Sequence, residues 1–482
     1  MGVLSNLKPE GVFKFFEEIC GIPHESGNMK AIADYCCKFA EDRKLQCIRD
    51  NMDNVIIIKE ATAGYENSPA MIIQGHLDMV CAKTPESKID FAKDGLKVML
   101  DGDKIYADGT SLGGDNGIAI AMALAILDAD DLKHPRIEAV FTVDEETGLY
   151  GAEAIDVSML KAKKFLNLDS EDEGIVTVSC AGGVTAECKL PVAREVYEGL
   201  QVTLIMDGML GGHSGVEINK GRGNSNMLMG RLAYEVMKEV PFRIVKMEGG
   251  QQDNAITKYT KLEVVISDKD RMAFAQAVEK SAAKIKDEFK TADPGLKVTI
   301  QKGEKASLIV LDEDSADRLL ACLLNFPNGI VAYSMDIPGL VETSLNLGIL
   351  KNHDEYISLV SGLRSSIESA KWALADRVTE FMKGFGGSCE LVGNYPGWQY
   401  KPDSALRDTV VKVYKELTGK EPVVEAIHAG LECGMFSEKI QDLDCVSIGP
   451  DLRDVHTVDE WMSLASVQRT WKLVCGILEA SK

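Results

Sequence analysis

The chain has 482 residues, 45% hydrophobic and 27% charged, which is enough for two or more domains of ordinary globular composition. Its net charge of −22 repels phosphate backbones and speaks against a nucleic-acid partner. No run of about 18 apolar residues occurs, so no membrane span is expected, and twelve cysteines without a CxxC pair make neither a disulfide scaffold nor a Cys-zinc site.

The opening MGVLSNLKPEGVFKFFEEIC reads as an amphipathic helix rather than a signal peptide, so a cytoplasmic protein is expected. Apolar strand-like runs follow at 55–59 (VIIIK), 70–74 (AMIIQ), 137–143 (IEAVFTV) and 164–169 (KFLNLD), with the Ala-rich helix IAIAMALAIL at 118–127 between them. This alternation predicts an α/β layer with a covered sheet. A hairpin is expected over 97–108, where Asp101-Gly102 supplies the turn. From residue 184 the texture shifts to longer alternating strands, a polar helix at 270–291 and Gly-rich stretches at 208–215 and 221–223. The organisation expected is a catalytic domain in two parts, 1–183 and 393–482, around an inserted α+β lid or dimerisation domain at 184–392.

Acid and imidazole groups collect where apolar strands end, the edge at which open α/β sheets bind ligands. In MIIQGHLDMV, His76 and Asp78 project to one face of an extended chain, and Gly75 lets the backbone pass close to a neighbour. In DGTSLGGDNG, Asp115 closes a Gly-rich loop and opens a helix, where a helix cap and a metal ligand are both open readings. Glu145 and Glu146 follow a strand in TVDEETG and point in different directions, and Asp169 follows an apolar strand in NLDSEDEG, an expensive place for an unpartnered charge. His456, one of only seven histidines, lies in DVHTVDEW near the C-terminus.

Taken one at a time these are ordinary strand ends, caps and acidic turns. In this order, GHLDMV, GTSLGGDNG, TVDEETG, NLDSEDEG, HAGLECGMF and DVHTVDEW resemble the motifs of the M20 metallopeptidases, in particular the aminoacyl-histidine dipeptidase branch, over essentially the whole chain. The resemblance implies a zinc-peptidase catalytic domain, a mixed sheet flanked by helices, carrying a lid. It implies two zinc ions per subunit: His76 and Asp169 on one, Glu146 and His456 on the other, Asp115 shared. Three carboxylates and a hydroxide would neutralise two Zn²⁺, and Co²⁺ or Mn²⁺ suit the same donors.

The same resemblance makes Glu145 the general base toward a zinc-activated water and Asp78 the partner that orients His76. His213 would stabilise the tetrahedral intermediate, Asn254 would add a polar contact, Arg364 would clamp the substrate's C-terminal carboxylate, and Gly430 would offer a backbone contact. Roles for His428 and Glu432 stay open. The expected activity is hydrolysis of dipeptides, Xaa-His such as β-alanyl-histidine, by a homodimer joined through the lid. Tripeptidase action, deacylation or desuccinylation of N-acyl amino acids, and a non-catalytic binding homologue are the alternatives.

Overall fold

The computed structural model describes residues 2–482, which divide into two compact units. The first runs to Cys180 and resumes at Tyr400–Ala426 and Leu431–Lys482; the second comprises Ala181–Gln399 and Ile427–Gly430. The breaks fall after Cys180 and Gln399 because Gly182–Pro191 and Ser388–Tyr395 pair with each other inside the second unit's sheet. Ile427–Gly430, which the sequence reading gave to the C-terminal catalytic part, belongs to the second unit.

The first unit is built on an eight-stranded mixed sheet. Its centre follows the spatial order Ile137–Thr142, Met71–His76, Lys164–Asn167, Asp444–Ser447, all mutually parallel. Ile137–Thr142 and Met71–His76 are buried along their whole length, as strands covered on both faces must be. Parallel register brings the carboxyl ends of these strands to one edge, so the chain leaves the sheet there at His76, Val143 and Leu168. Val55–Lys59 pairs antiparallel with Ile137–Thr142, and Gln46–Arg49 pairs antiparallel with Val55–Lys59 at the sheet's edge.

The helix Gly114–Asp128 is apolar on all sides and buried from Asn116 to Leu127, as expected of a central helix. It packs on Glu10–Cys20, where Gly117 faces Phe16 and Ile19; a Cβ on Gly117 would sit 3.4 Å from the Phe16 ring. The N-terminal helix is shorter than the sequence suggested, because Pro9 lacks the N–H and starts it at Glu10. Burying Phe13, Phe15, Phe16 and Ile19 contributes on the order of 1.5–3 kcal/mol each. The hairpin Val98–Asp101 and Lys104–Ala107 forms as expected, with Gly102 at φ +58, and joins Trp461–Ser463 and Leu452–Arg453 in a four-stranded sheet.

The second unit is a nine-stranded antiparallel sheet whose path begins Lys297–Leu311, Arg194–Asp207, Thr260–Ile266, Arg243–Gly249 and Val341–Asn352. Tyr356–Ser365, Gly182–Pro191 and Ser388–Tyr395 complete that path, and Gly329–Tyr333 pairs with Val341–Asn352. Helices Ser225–Glu239, Arg271–Glu288, Glu313–Asn325 and Glu368–Gly384 cover the sheet through Leu232, Phe274, Leu319 and Val378, all essentially inaccessible. Among the described residues no helix is long and apolar enough to cross a membrane.

Candidate metal centre and active site

At the carboxyl edge of the first unit's sheet, His76, Asp115, Glu146, Asp169 and His456 converge. Asp115 stands in the middle: its Oδ1 lies 3.1 Å from His76 Nε2 and its Oδ2 3.2 Å from His456 Nε2. His76 Nε2 also meets Asp169 Oδ1 at 3.5 Å, and His456 Nε2 meets Glu146 Oε1 at 2.9 Å. One carboxylate thus shows a separate oxygen to each of two imidazoles, each backed by a further carboxylate. Ligand atoms of His76, Asp115 and Glu146 all lie within 4.8 Å of one another. Among the described residues, the ion-pair partners of these three carboxylates are the two histidines alone. Three anionic oxygen donors and two imidazoles, with no lysine or arginine to balance them, fit a pair of divalent cations.

Asp115 is not the helix cap that its position suggested. The backbone is kinked here, with Asp115 (−84°, 105°) and Asn116 (−118°, 27°) non-helical, so the regular helix runs on from Gly117. Among the described residues the Asp115 carboxylate accepts no backbone N–H of its first turn. Its carboxylate is turned to the imidazoles instead. Asn116 braces the cluster from below: its Oδ1 accepts the His76 N–H at 3.1 Å and its Nδ2 donates to Leu168 O at 2.9 Å. Gly75 is needed for this, since a Cβ there would lie 2.3 Å from Asn116 Oδ1.

Electrostatics without bound cations reflect the same crowding. Burial disfavours charge on His76, yet Asp169, Asp115 and Asp78 hold its pKa well above the usual imidazole value. Hydrogen bonds with Asp115 and Glu146 push His456 up to about 11. Burial opposes ionisation of Asp115, but His456 and His76 keep its carboxyl well below the ordinary range. Burial lifts Asp169 to about 6 despite His76 beside it. Divalent cations would relieve this frustration by replacing protons among the donors.

Glu145 is held beside the cluster by Asp78. The Asp78 carboxylate accepts the Glu145 N–H on Oδ1 at 3.0 Å, and on Oδ2 the Glu146 N–H at 3.3 Å and the Ser26 hydroxyl at 2.8 Å. Its approach to His76 Nδ1 is looser, 3.5 Å, because that nitrogen bonds the backbone carbonyl of Asp78 at 2.9 Å. Asp78 therefore grips the glutamate turn with its side chain and the imidazole with its main chain. Burial, with Asp169, Glu432 and Glu146 and against His76, raises the Glu145 carboxyl well above its usual range. The turn is strained: Asp144 and Leu149 adopt φ of +51 and +61, and Asp144 Oδ1 is tied to Gly27 N at 2.7 Å.

The second unit carries His213, Asn254, Arg364 and Gly430. His213 Nδ1 accepts the N–H groups of Gly215 and Val216, each at 3.2 Å, so a neutral ring carries its proton on Nε2 as a donor. Burial and the Arg364 charge lower its pKa and favour that neutral form. A cleft of about 700 Å³ is lined by His213, Asn254, Gly250, Thr257, Tyr259 and Lys261. Arg364 Nη1 donates to Tyr395 Oη at 2.9 Å, and its Nε is buried without a partner, so the guanidinium has donors to spare. Gly430 lies in the loop before the helix Glu432–Lys439, and a Cβ there would come within 2.9 Å of the Tyr395 ring.

Three residues that the sequence reading left open or passed over are now placed. His428 bonds Ser344 Oγ at 2.7 Å, and burial beside Arg364 lowers its pKa to about 3. Glu432, fully buried in the first unit, accepts the Thr142 hydroxyl at 2.7 Å and the Gln74 side-chain amide, and burial lifts it to about 7. Glu460 was missed; it lies buried under the Asp115 loop. The signal available was its distance of four residues from His456, next to a tryptophan, in an otherwise polar turn.

A mixed α/β sheet with carboxylates and imidazoles massed at its carboxyl edge, and a glutamate buried beside them, defines a metal-dependent hydrolase. The sequence pattern of Peptidase family M20/M25/M40 matches residues 72–480, and the chain belongs to that family. It is 35% identical to the cytosol non-specific dipeptidase of Escherichia coli (strain K12), with 99% of each chain covered. The crystal structure of aminoacylhistidine dipeptidase from Vibrio alginolyticus superposes with a TM-score of 0.93 at 34% identity, covering 99% of this chain and 98% of that one. A tripeptidase from Staphylococcus aureus shares the fold at a TM-score of 0.58 and 15% identity, covering 98% of this chain and 99% of that one.

Proposed function

We propose that this peptidase hydrolyses dipeptides, Xaa-His substrates such as β-alanyl-histidine among them, with two zinc ions per subunit. The observation that carries the reading is the Asp115 carboxylate, whose two oxygens separately face His76 and His456. In this reading His76 and Asp169 hold one ion, Glu146 and His456 the other, and Asp115 is shared. When bound, the ions polarise the scissile carbonyl and acidify the attacking water. Glu145 takes the proton from that water and later delivers it to the leaving amine, so water and peptide become a free carboxylate and a free amine. A buried carboxyl of raised pKa suits this two-way traffic. Asp78 keeps Glu145 in place.

In the second unit, His213 Nε2–H is a donor of the kind that stabilises an oxyanion, and the unpaired donors of Arg364 suit a C-terminal carboxylate. Asn254 and Gly430 add a side-chain and a backbone contact. The name of the E. coli relative favours breadth: acceptance of many dipeptides rather than strict demand for histidine. It also supports a cytosolic location, and a homodimer through the second unit completes the proposal. The test is a substrate panel on chelator-stripped enzyme reloaded with Zn²⁺, Co²⁺ or Mn²⁺. Dipeptides should be cleaved only after reloading, ahead of tripeptides and N-acyl amino acids. Turnover by stripped protein, or preference for N-acyl amino acids, would overturn the reading.

A further inference from the structure

Asp115 and His456 are 341 residues apart in sequence, and one buried carboxylate joins the loops that carry them. Glu460, four residues beyond His456, is 3% exposed and sits inside the turn of the Gly-rich loop. Its Oε2 accepts the N–H groups of Leu112 at 2.7 Å and Gly113 at 3.0 Å; its Oε1 accepts those of Gly114 at 2.9 Å and Asp115 at 3.4 Å. Among the described residues no lysine or arginine forms an ion pair with Glu460, so converging backbone dipoles take the place of a cation. The loop is shaped for this guest. Gly113 at φ +67 turns successive N–H groups inward, and a Cβ on Gly114 would lie 2.8 Å from Leu452 Cδ2 and 3.3 Å from Glu460 Oε1.

The His456 side of the link is equally constrained. Asp454 and His456 adopt φ of +54 and +63, a region that non-glycine residues hold only when their surroundings impose it. Thr457 Oγ1 bonds Asp454 O at 2.6 Å, and Trp461, next to Glu460, pairs with Arg453 and Tyr106. The strained turn is thus closed at one end by a sheet and at the other by the carboxylate buried in the Asp115 loop.

We propose that Glu460 is a positioning residue for the metal pair: it locks the loop of Asp115 to the turn of His456, so that their half of the site is preformed before a cation arrives. It touches neither substrate nor ion and acts through those two ligands. The inference rests on the two-ion reading above.

The variant E460Q leaves one acceptor oxygen where four N–H groups converge and turns an amide N–H₂ toward the rest. Zinc affinities of stripped wild type and E460Q are measured by competition with a chromophoric chelator, alongside kcat, KM and metal-free melting. In wild type, two ions should bind; in E460Q the weaker ion should lose roughly 10–100-fold in affinity, and kcat should fall while KM changes little. A lowered melting temperature with both affinities and kcat intact would mean a merely structural acid and would overturn the proposal. A wild type that takes fewer than two ions would sink the two-ion reading instead, so the failures are distinguishable. If E460Q does not fold, hydrogen exchange on metal-free wild type decides: the amides of residues 112–115 should be protected like those of the helix at 118–127, and free exchange there overturns the link.

Discussion

Asp78→Asn tests which neighbour this side chain serves: the imidazole it was expected to orient, or the glutamate turn it bonds in the structure. The carboxylate receives three hydrogen bonds, from Ser26, Glu145 and Glu146, whereas the His76 ring is bonded to the Asp78 main chain. Bonds to a buried charged group are worth about 1.5–3 kcal/mol each. Asparagine keeps one acceptor oxygen and turns an N–H₂ against a backbone N–H, so about 3 kcal/mol of support for the glutamate turn should vanish. If that loss is felt as misplacement of Glu145 in the transition state, it amounts to roughly a hundredfold in kcat, at 1.36 kcal/mol per decade. His76, still held by its carbonyl, should retain its ion. The assay is kcat at saturating zinc, with zinc content measured on the same sample. Full kcat at saturating zinc combined with weakened binding would refute the reasoning, because it would show that Asp78 serves the imidazole rather than the glutamates.

Glu145→Gln should keep both ions and lose about 10²–10⁴-fold in turnover, the usual worth of a general base, as read by metal analysis and steady-state rates; retained activity would remove Glu145 from that role. Arg364→Lys keeps the charge but loses the fork, so KM for dipeptides should rise about tenfold or more while cleavage of dipeptide amides changes little; equal effects on both substrates would contradict the carboxylate clamp. For the metal-free protein, His456 has its folded pKa raised to about 11, above the unfolded value of 6.5. Its stabilising effect is therefore complete below pH 6.5 and is lost as the pH climbs toward 11. Urea midpoints of stripped enzyme should fall between pH 7 and 10, and His456→Asn should flatten that slope; an unchanged slope would show that the pairing with Asp115 and Glu146 contributes nothing.

The central strands and the central helix were legible from local texture, because a short apolar run rich in β-branched and aromatic residues suits a covered strand, whereas ten apolar residues rich in alanine suit a buried helix. The candidate ligands were legible only together: one at a time each was an ordinary strand end, cap or acidic turn, and their order along the chain, through its resemblance to the M20 motifs, marked them as a set. Pro9 shortened the first helix by a rule that reads directly off the sequence. By contrast, the choice of oxygen on Asp115 for each imidazole, the main-chain bond that orients His76, and the Asn116 brace between two strands depend on strand order and on contacts across the sheet.

Membership of Ile427–Gly430 in the second unit and the burial of Glu460 in the Asp115 loop belong to this second category. Residue type and spacing encode how much of a segment is buried and with what period, and this much the sequence determined by itself. Which distant segment fills the space beside it is decided only when the sheet forms and its loops converge on one edge; Asp115 meeting His456 across 341 residues is the plainest case.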